Sequence, residues 1–392
     1  MFVLKDQVLD KCLLRRTKAT KAEDINLPPR LVSIQTLRLH PIEEDFYNSL
    51  YTQTKNSFND YVERGTLLNN YAHIFDLLMR MRQSVNHPYL VLHSNNKKKN
   101  NSRSVVTECG ICQEPSMDRL ISSCCEQGFC RSCVMEYLET SAAARNSTPC
   151  PSCRAPFTID LNQDTDTTTQ QQQQQSQSNN KKKPSFVGMP SLKELSNVAT
   201  SSILRRLNLT EFATSTKIEA LVHELVKMRQ SSPGSKAIVF SQFVNMLDLI
   251  RWRLHSDPIL GDMGLGVRAI HGGMDVKARD ASLRDFREDV STRVLLMSLK
   301  AGGVALNLTV ANHIYLMDPW WNPAAEMQAI DRTHRMGQYR PIRAVRFIAQ
   351  NTVEEKILHL QEKKRLVFDG TVGRDVGSLQ MLTVDDMKSL FA

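Results

Sequence analysis

Hydrophobic positions divide the chain into a helical first part and a mixed second part. In 43–63 and 71–85 apolar residues recur every three to four positions, which predicts two helices. From residue 217 onward, short apolar runs alternate with amphipathic stretches. The predicted strands are 237–240, 267–270, 293–298, 313–317 and 344–348, and the predicted helices are 217–228, 246–255, 276–288, 324–334 and 353–367. This alternation predicts an α/β fold whose parallel sheet is covered on both faces, with its working surface at the C-terminal strand ends.

Two polar segments separate three parts that can fold. Residues 94–104 are almost entirely Ser, Asn, Lys and Arg, and 161–190 contain a run of Gln followed by a run of Lys. Neither segment can bury enough apolar surface to offset the entropy of ordering the chain. The sequence therefore predicts five divisions, which are 1–93, a linker 94–104, a cysteine-rich module 105–160, a second linker 161–190 and an α/β lobe 191–392.

The charge balance fits a polyanionic partner. Fifty Lys and Arg against forty-one Asp and Glu give a net charge of +9, which suits DNA because each contacted phosphate releases counterions. A solvated basic surface explains the same charge equally well. No apolar run reaches the ~18 residues of a membrane span, and residues 1–14 lack the apolar centre of a signal peptide. We expect a soluble, intracellular protein without a membrane partner.

Eight of the nine cysteines lie within one short stretch. Six of them form Cys-x-x-Cys pairs, a spacing that lets one tight turn present two sulfurs to a tetrahedral zinc ion. Clustered cysteines of an intracellular protein hold metal more often than they form disulfides. We therefore predict a zinc module rather than a set of buried structural cysteines. The candidate ligands are Cys109, Cys112, Cys124, Cys125, Cys130, Cys133, Cys150 and Cys153.

The order of these cysteines resembles a RING finger, which binds two zinc ions in a cross-braced arrangement. The resemblance assigns Cys109, Cys112, Cys130 and Cys133 to the first ion, and Cys125, Cys150 and Cys153 to the second. Gln127 stands where a RING finger usually has histidine. The fourth ligand of the second ion is therefore open between the Cys124 thiolate and the Glu126 carboxylate, and we expect this ion to bind more weakly.

A RING finger also implies a surface for a ubiquitin-conjugating enzyme and ubiquitin. The matching positions here are Ile111, Pro151 and Arg154. The resemblance therefore implies ubiquitin-ligase activity, and a purely structural zinc clamp is the alternative.

The segment 328–338 (QAIDRTHRMGQ) carries two arginines close together. Pro323 is placed to begin a helix, which would put Gln328, Arg332 and Arg335 on one face. A planar, permanently charged guanidinium suits the phosphate oxygens on which charge spreads during phosphoryl transfer. If the pair stood alone, two solvent-facing arginines would be the better interpretation. The surrounding motifs therefore decide whether the arginines contact phosphate or solvent.

These motifs occur in a recognisable order. They are IVFSQF at 238–243, HGGM at 271–274, a strand with a Gly-Gly turn at 294–308, DPWWNP at 318–323 and the arginine segment. Together they resemble motifs IV to VI of superfamily-two helicases in their SWI/SNF form, whose C-terminal lobe is RecA-like. In the same comparison 1–93 resembles the end of the first lobe and a helical connector. The inserted RING finger narrows the resemblance to DNA-repair translocases, with the yeast member of global-genome nucleotide-excision repair as the nearest match.

The helicase resemblance implies roles for individual residues. Arg332 and Arg335 would be arginine fingers, and Gln328 would help to order the nucleotide site. Contacts with the phosphates of one DNA strand would come from Ser241, Gln242, Ser298, Lys300, Gly302 and Gly303. Such contacts follow the backbone and do not read bases. The implied setting is nuclear, with double-stranded DNA and a damage-recognition protein as partners.

The sequence contains no P-loop of the form Gly-x4-Gly-Lys-[Ser/Thr], the usual cradle for nucleotide phosphates. The family carries that loop in its first lobe, so ATP and Mg²⁺ would bind only when that lobe is present. We expect no ATP hydrolysis by this chain alone. The alternative is a stand-alone RING ligase or DNA-binding module without ATPase activity, and a P-loop encoded upstream would decide between the two.

Overall fold

The computed structural model describes most of the α/β lobe and parts of the remaining chain. The described residues are 27–65, 71–93, 109, 111, 119–125, 127–141, 150–151, 155–159, 202–257, 265–299, 307–321, 323–370 and 384–391.

Six strands form one parallel sheet in the described part of the chain. The strands of this sheet are β1 (Arg30–Leu37), β4 (Ala237–Ser241), β5 (Gly266–Ile270), β6 (Thr292–Ser298), β7 (His313–Leu316) and β8 (Ile342–Ala349). Their spatial order is β1-β8-β7-β4-β6-β5, and every neighbouring pair is parallel. The five strands predicted from apolar runs are all present, so the α/β fold class is confirmed.

Strand β1 was not predicted from the sequence. Its apolar residues do not alternate regularly, and Leu31 and Ile34 are 64% and 52% exposed. The strand pairs with β8 along its whole length, from Arg30 opposite Ile342 to Leu37 opposite Ala349. Backbone pairing with an ordered neighbour thus creates an edge strand that hydrophobic periodicity does not reveal.

Helices cover both faces of the sheet. Alternate strand residues point to opposite faces, so Val239 and Leu296 join one apolar core and Phe240 and Leu295 the other. Helices α5 (Thr216–Ser231) and α6 (Val244–Ser256) pack on the first face, and α7 (Val276–Glu288) and α8 (Pro323–Asp331) pack on the second. Short 3-10 turns at Ile203–Arg206 and Leu209–Glu211 precede α5.

A third apolar cluster joins the first described helices to the last ones. It combines residues of α1 (Pro41–Glu63), α2 (Tyr71–Asn86), α9 (Val353–Gly370) and α10 (Val384–Phe391). The rings of Phe58 and Phe391 stack with their centroids 4.2 Å apart. The short helix α3 (Pro88–Leu92) follows α2 directly. The two predicted amino-terminal helices are therefore present, and they pack against the carboxyl-terminal helices.

The cysteine-rich part forms a small separate core. Strands β2 (Arg119–Ile121) and β3 (Gly128–Cys130) pair antiparallel and lead into α4 (Arg131–Ser141). Leu120, Phe129 and Val134 are fully buried beside three buried and three half-buried cysteines. Among the described helices, none is both long and apolar enough to cross a membrane.

Candidate functional site

The carboxyl ends of β4 and β6 bring three predicted DNA-contacting residues together. Ser241 pairs with Ser298 in the sheet register, and Gln242 follows Ser241. The side chains of all three are buried, at 0%, 1% and 4% exposure. Ser241 and the Gln242 backbone N–H donate to Asp318, the latter at 2.9 Å. These residues therefore anchor the loop after β7, and their contact with phosphates stays a prediction. Lys300, Gly302 and Gly303 lie outside the described residues.

A buried arginine from α2 supports the same loop, although sequence reasoning assigned it no role in the site. Arg82 is fully buried, donates to the Pro319 carbonyl oxygen at 2.6 Å and lies 3.9 Å from the Asp318 carboxylate. Its guanidinium also lies over the Trp321 ring, 4.7 Å from the centroid. Burial lowers the pKa of Arg82, and the Asp318 charge opposes that shift. The arginine thus fixes the beginning of the DPWWNP segment.

A second buried cation ties three helices to the sheet. Lys217 of α5 donates to the Glu354 carboxylate at 2.5 Å, to the Met317 carbonyl at 2.7 Å and to the Asn86 side chain at 2.8 Å. The other carboxylate oxygen of Glu354 accepts from the Ala349 backbone N–H at 3.0 Å. Burial raises the pKa of Glu354, while the Lys217 charge lowers it.

Glu326 of α8 completes this polar platform. Its carboxylate accepts from the Trp320 backbone N–H and from Gln361, both at 2.7 Å, and pairs with Arg346 at 3.0 Å. The three buried acids, Asp318, Glu326 and Glu354, therefore face three cations, Arg82, Lys217 and Arg346. We call these six residues the carboxyl-edge platform. It fixes the start of α8, which leads to the predicted arginine fingers.

The arginine segment is a turn rather than the end of a long helix. Helix α8 ends at Asp331, although we predicted a helix to His334. The Arg332 N–H still donates to the Gln328 carbonyl at 3.2 Å, so these two residues share a helical turn. Arg335 lies beyond the helix and is exposed, which makes the prediction of a single helical face wrong for this residue. Gly337 ends the turn with φ 96°, a conformation that favours glycine.

Side-chain bonds hold this turn near the amino ends of the strands. Gln338 donates to the carbonyls of Thr309 and Ala311, just before β7, at 3.0 and 2.7 Å. Arg30, the first residue of β1, pairs with Asp331 at 3.0 Å. The His334 ring nitrogen lies 2.9 Å from the Pro28 carbonyl. The arginine turn therefore lies away from the carboxyl-edge platform, whereas we expected the working surface only at the carboxyl ends.

The described cysteines gather in two groups of three. The first group is Cys109, Cys130 and Cys133, and the second is Cys124, Cys125 and Cys150. Within each group the sulfurs lie within 4.8 Å of one another. The backbone N–H of Cys130 donates to the Cys109 sulfur at 3.1 Å, a contact that favours a thiolate. Ser122 lies 3.3 Å from the Cys125 sulfur, and the Cys125 and Cys150 sulfurs are 3.7 Å apart. These donor sets fit tetrahedral zinc.

This grouping concerns the fourth ligand of the second zinc ion, for which the sequence left Cys124 and Glu126 as candidates. Cys124 lies in the same group as Cys125 and Cys150, whereas Glu126 is outside the described residues. Gln127 uses its backbone carbonyl to accept from Ser122 in the hairpin. Cys112, Cys153 and Arg154 also lie outside the described residues. Ile111 packs partly buried against the small core, and Pro151 is half-exposed.

The parallel sheet, its two helical layers and the arginine turn define a RecA-like helicase lobe. Residues 216–337 match the helicase conserved C-terminal domain, and residues 4–90 match the SNF2-related domain. The fold also resembles the crystal structure of the C-terminal part of the Fun30 ATPase domain, with a TM-score of 0.52 at 20% identity over 93% of this chain and 96% of that one.

Sequence comparison with individual proteins narrows the class further. It is 42% identical to the ATP-dependent helicase rhp16 of Schizosaccharomyces pombe over 98% of this chain and 41% of that protein. It is 33% identical to the DNA repair protein rad8 of the same yeast, over 98% of this chain and 35% of that protein. The chain thus carries SNF2-related and helicase C-terminal domains and is homologous to SWI/SNF helicases of the RAD5 and rhp16 type. It spans about two fifths of the length of these relatives.

Proposed function

We propose that this chain is the carboxyl-terminal part of an ATP-dependent translocase that moves along double-stranded DNA during DNA repair in the nucleus. The observation that carries the proposal is the arginine turn, which the RecA-like lobe holds at three separate points. The names of the relatives, an ATP-dependent helicase and DNA repair proteins, support the same activity. The order of the helicase motifs and the inserted cysteine-rich module resemble the nucleotide-excision-repair branch of these translocases, so our narrower proposal is a role in that pathway with a damage-recognition partner.

In the proposed mechanism, the two arginines stabilise the negative charge that develops on the phosphate oxygens during phosphoryl transfer. Arg335 is exposed on a fixed turn, and Arg332 lies one helical turn from Gln328. A guanidinium held before the reaction needs no reorganisation when charge appears on the phosphate oxygens. ATP and Mg²⁺ would be held chiefly by a first lobe carrying the P-loop, and this lobe would close the arginines over the nucleotide.

Duplex DNA would run along the carboxyl ends of the strands. Gly302 and Gly303 would present backbone N–H groups and Lys300 its ammonium group to the phosphates, near the buried Ser241–Ser298 pair. Because such contacts release counterions, we expect the affinity for duplex to fall steeply with salt.

Duplex binding by Lys300→Ala, measured by fluorescence anisotropy over a range of salt concentrations, tests this path. We expect weaker binding and a salt dependence lower by about one counterion than that of the wild-type chain. Lys388→Ala, which removes an exposed lysine of α10, is the control and should leave both quantities unchanged. If Lys300→Ala and Lys388→Ala behave alike, the DNA does not follow this edge.

We also propose that the cysteine-rich module binds two zinc ions. The two sulfur groups carry this proposal, and Cys124 supplies the ligand that Gln127 cannot provide. Metal analysis of the purified chain should give about two zinc ions per molecule. Cys124→Ser and Cys125→Ser should each lose about one ion, whereas Cys12→Ser, outside the cluster, should lose none. A full zinc content in Cys124→Ser would remove Cys124 as a ligand.

The RING resemblance supports ubiquitin-ligase activity as a second function, acting on a conjugating enzyme through Ile111, Pro151 and Arg154. Discharge of ubiquitin from a charged conjugating enzyme measures it directly. Arg154→Ala should reduce the discharge rate without loss of zinc. If the chain binds zinc but discharges no ubiquitin, the module is a purely structural zinc clamp. A different result would favour the stand-alone ligase. In that case the chain would discharge ubiquitin from the conjugating enzyme, but would not hydrolyse ATP even when joined to a first lobe.

A further inference from the structure

Cations gather at the amino ends of the central strands, on the edge of the sheet opposite the carboxyl-edge platform. Arg293 lies in β6 and Arg340 just before β8, while Arg229 lies in the last turn of α5. Burial and the positive charges of Arg229 and Arg340 together lower the pKa of Arg293. The three guanidiniums therefore lie within electrostatic reach of one another, and we call them the amino-edge arginine cluster.

Neutral carbonyl groups accept hydrogen bonds from two of these arginines. Arg340 donates to the Gly234 carbonyl at 3.0 Å, and Arg229 donates to the Pro233 carbonyl. Arg343, further along in β8, differs because it pairs with the Glu224 carboxylate at 2.8 Å. The carbonyl contact thus orients Arg340 without neutralising its charge.

Among the three arginines of the cluster, Arg293 would gain most from a bound anion. It is 9% exposed, and its buried Nε has no hydrogen-bond partner among the described residues. The Asp289 carboxylate lies within electrostatic reach, but its oxygens accept from Ser291 and Thr292 at 2.6 to 2.8 Å. A buried N–H donor without an acceptor is costly, and a bound anion would remove that cost.

A pocket adjoins the cluster. It has a volume of about 350 Å³, and its lining includes Ser232, Gly234, Ser235, Asn312 and Arg340. The Asn312 amide donates to the Ser235 oxygen at 3.1 Å, which leaves the Ser235 proton to point elsewhere. The pocket thus combines hydroxyl donors with the guanidinium of Arg340, and Arg229 and Arg293 add positive charge nearby.

We propose that this pocket binds a phosphate monoester. At neutral pH a monoester carries a charge of about −2 and three acceptor oxygens, which suits several guanidiniums better than a single carboxylate does. A DNA phosphodiester carries only one charge, and the proposed DNA path lies at the other edge. From Arg293 to Ser298 along β6 the distance is roughly 17 Å at 3.3 Å per residue. The proposal does not depend on the proposed translocase activity.

Calorimetric titration of the chain with inorganic phosphate and with phosphoserine, at ionic strength kept constant with chloride, tests this site. We expect saturable binding of both probes. Arg293→Gln and Arg340→Gln should each weaken it by roughly tenfold or more, since each removes charged donors. Arg251→Gln, in the exposed part of α6, is the matched control and should bind like wild type.

The titrations also separate the possible sources of the monoester. Tighter binding of a phosphoserine peptide than of phosphoserine would assign the site to a phosphorylated protein, and equal binding would assign it to a small phosphorylated molecule. No saturable binding, or equal binding by wild type and Arg340→Gln, would overturn the proposal. Arg340 is exposed, so its variant remains decisive if Arg293→Gln fails to fold. Loss of duplex affinity in both variants without phosphate binding would instead identify a DNA contact and overturn the proposal.

Discussion

At the scale of single residues, the buried ion pair of Lys217 and Glu354 is a strong determinant of stability. Both side chains are at most 1% exposed, so removing the cation alone leaves a carboxylate without its charged partner in the core. We predict that Lys217→Met lowers the free energy of unfolding by about 3–5 kcal/mol. The double variant Lys217→Met/Glu354→Gln should recover most of that loss. Chemical denaturation measures both.

The control for this prediction is the ion pair of Arg80 and Asp76 in α2, whose side chains are 37% and 31% exposed. Because water screens it, Arg80→Met should change the free energy of unfolding by less than about 1 kcal/mol. An effect of Lys217→Met as small as that of Arg80→Met would show that the buried pair does not hold the platform.

The buried His87 makes stability depend on pH. Its Nδ1 accepts from the Tyr89 N–H, and burial lowers the pKa of His87 from 6.5 to about 4. The unfolded chain takes up a proton below about pH 6.5, whereas the folded chain stays neutral. Stability is therefore present above pH 6.5 and is lost as the pH falls towards 4, by about 2–3 kcal/mol at pH 4.5.

His87→Asn keeps an acceptor at this helix cap but does not titrate. Denaturation at a series of pH values should show a smaller loss of stability for His87→Asn than for wild type between pH 6.5 and 4.5. His359→Asn, at an exposed site in α9, should follow the wild-type curve. Parallel curves for wild type and His87→Asn would contradict this account.

Residue types reveal a candidate site only where their chemistry is unusual for its position. Clustered cysteines and the arginine segment stand out in the sequence, and the structure groups Cys124 with Cys125 and Cys150. The buried roles of Arg82 and Lys217 could not be predicted, because each depends on partners between 100 and 237 positions away in the sequence. Nothing local distinguishes these two from surface cations.

At the scale of elements, hydrophobic periodicity located the buried strands and the covering helices. It failed for β1, whose stability depends on pairing with β8 rather than on burial. It also extended α8 by three residues, because Gln338 and Asp331 draw the chain into a turn through bonds to other parts of the lobe. Both errors arise where tertiary contacts override local preference.

The contact of Arg30 with Asp331 links the edge strand to the arginine turn. Its side chains are 28% and 44% exposed, so Arg30→Ala should change global stability by less than about 1 kcal/mol. We predict instead a local effect, namely faster amide exchange at Thr333, His334 and Gln338. Hydrogen–deuterium exchange measured by mass spectrometry would detect it.

Arg38→Ala is the matched control, since Arg38 contacts Gln350 beyond the other end of β1 at 3.2 Å. It should leave exchange in the arginine turn unchanged. If both variants alter exchange there equally, the effect comes from the edge strand as a whole. Unchanged exchange in Arg30→Ala would show that the ion pair does not hold the turn.

At the scale of the whole molecule, the first and the last described elements pack together. Strand β1 extends the sheet, and α1 and α2 pack against α9 and α10. A sequence pattern cannot show this closure, because each helix has an apolar face that several partners could cover. The order of the helicase motifs predicted the lobe, but not the packing of its first and last helices.

The measurement that tests the central claim most directly is DNA-stimulated ATP hydrolysis by this chain joined to the first lobe of a relative such as rhp16. We predict hydrolysis that duplex DNA stimulates. Arg335→Ala should lower kcat by roughly 10³-fold or more while ATP and duplex binding stay within a few fold, because an arginine finger acts chiefly in the transition state. Arg335→Lys should recover little, since a point charge lacks the planar fork. Arg64→Ala, an exposed control just after α1, should hydrolyse ATP like wild type. Near-normal turnover in both Arg335 variants would contradict the account.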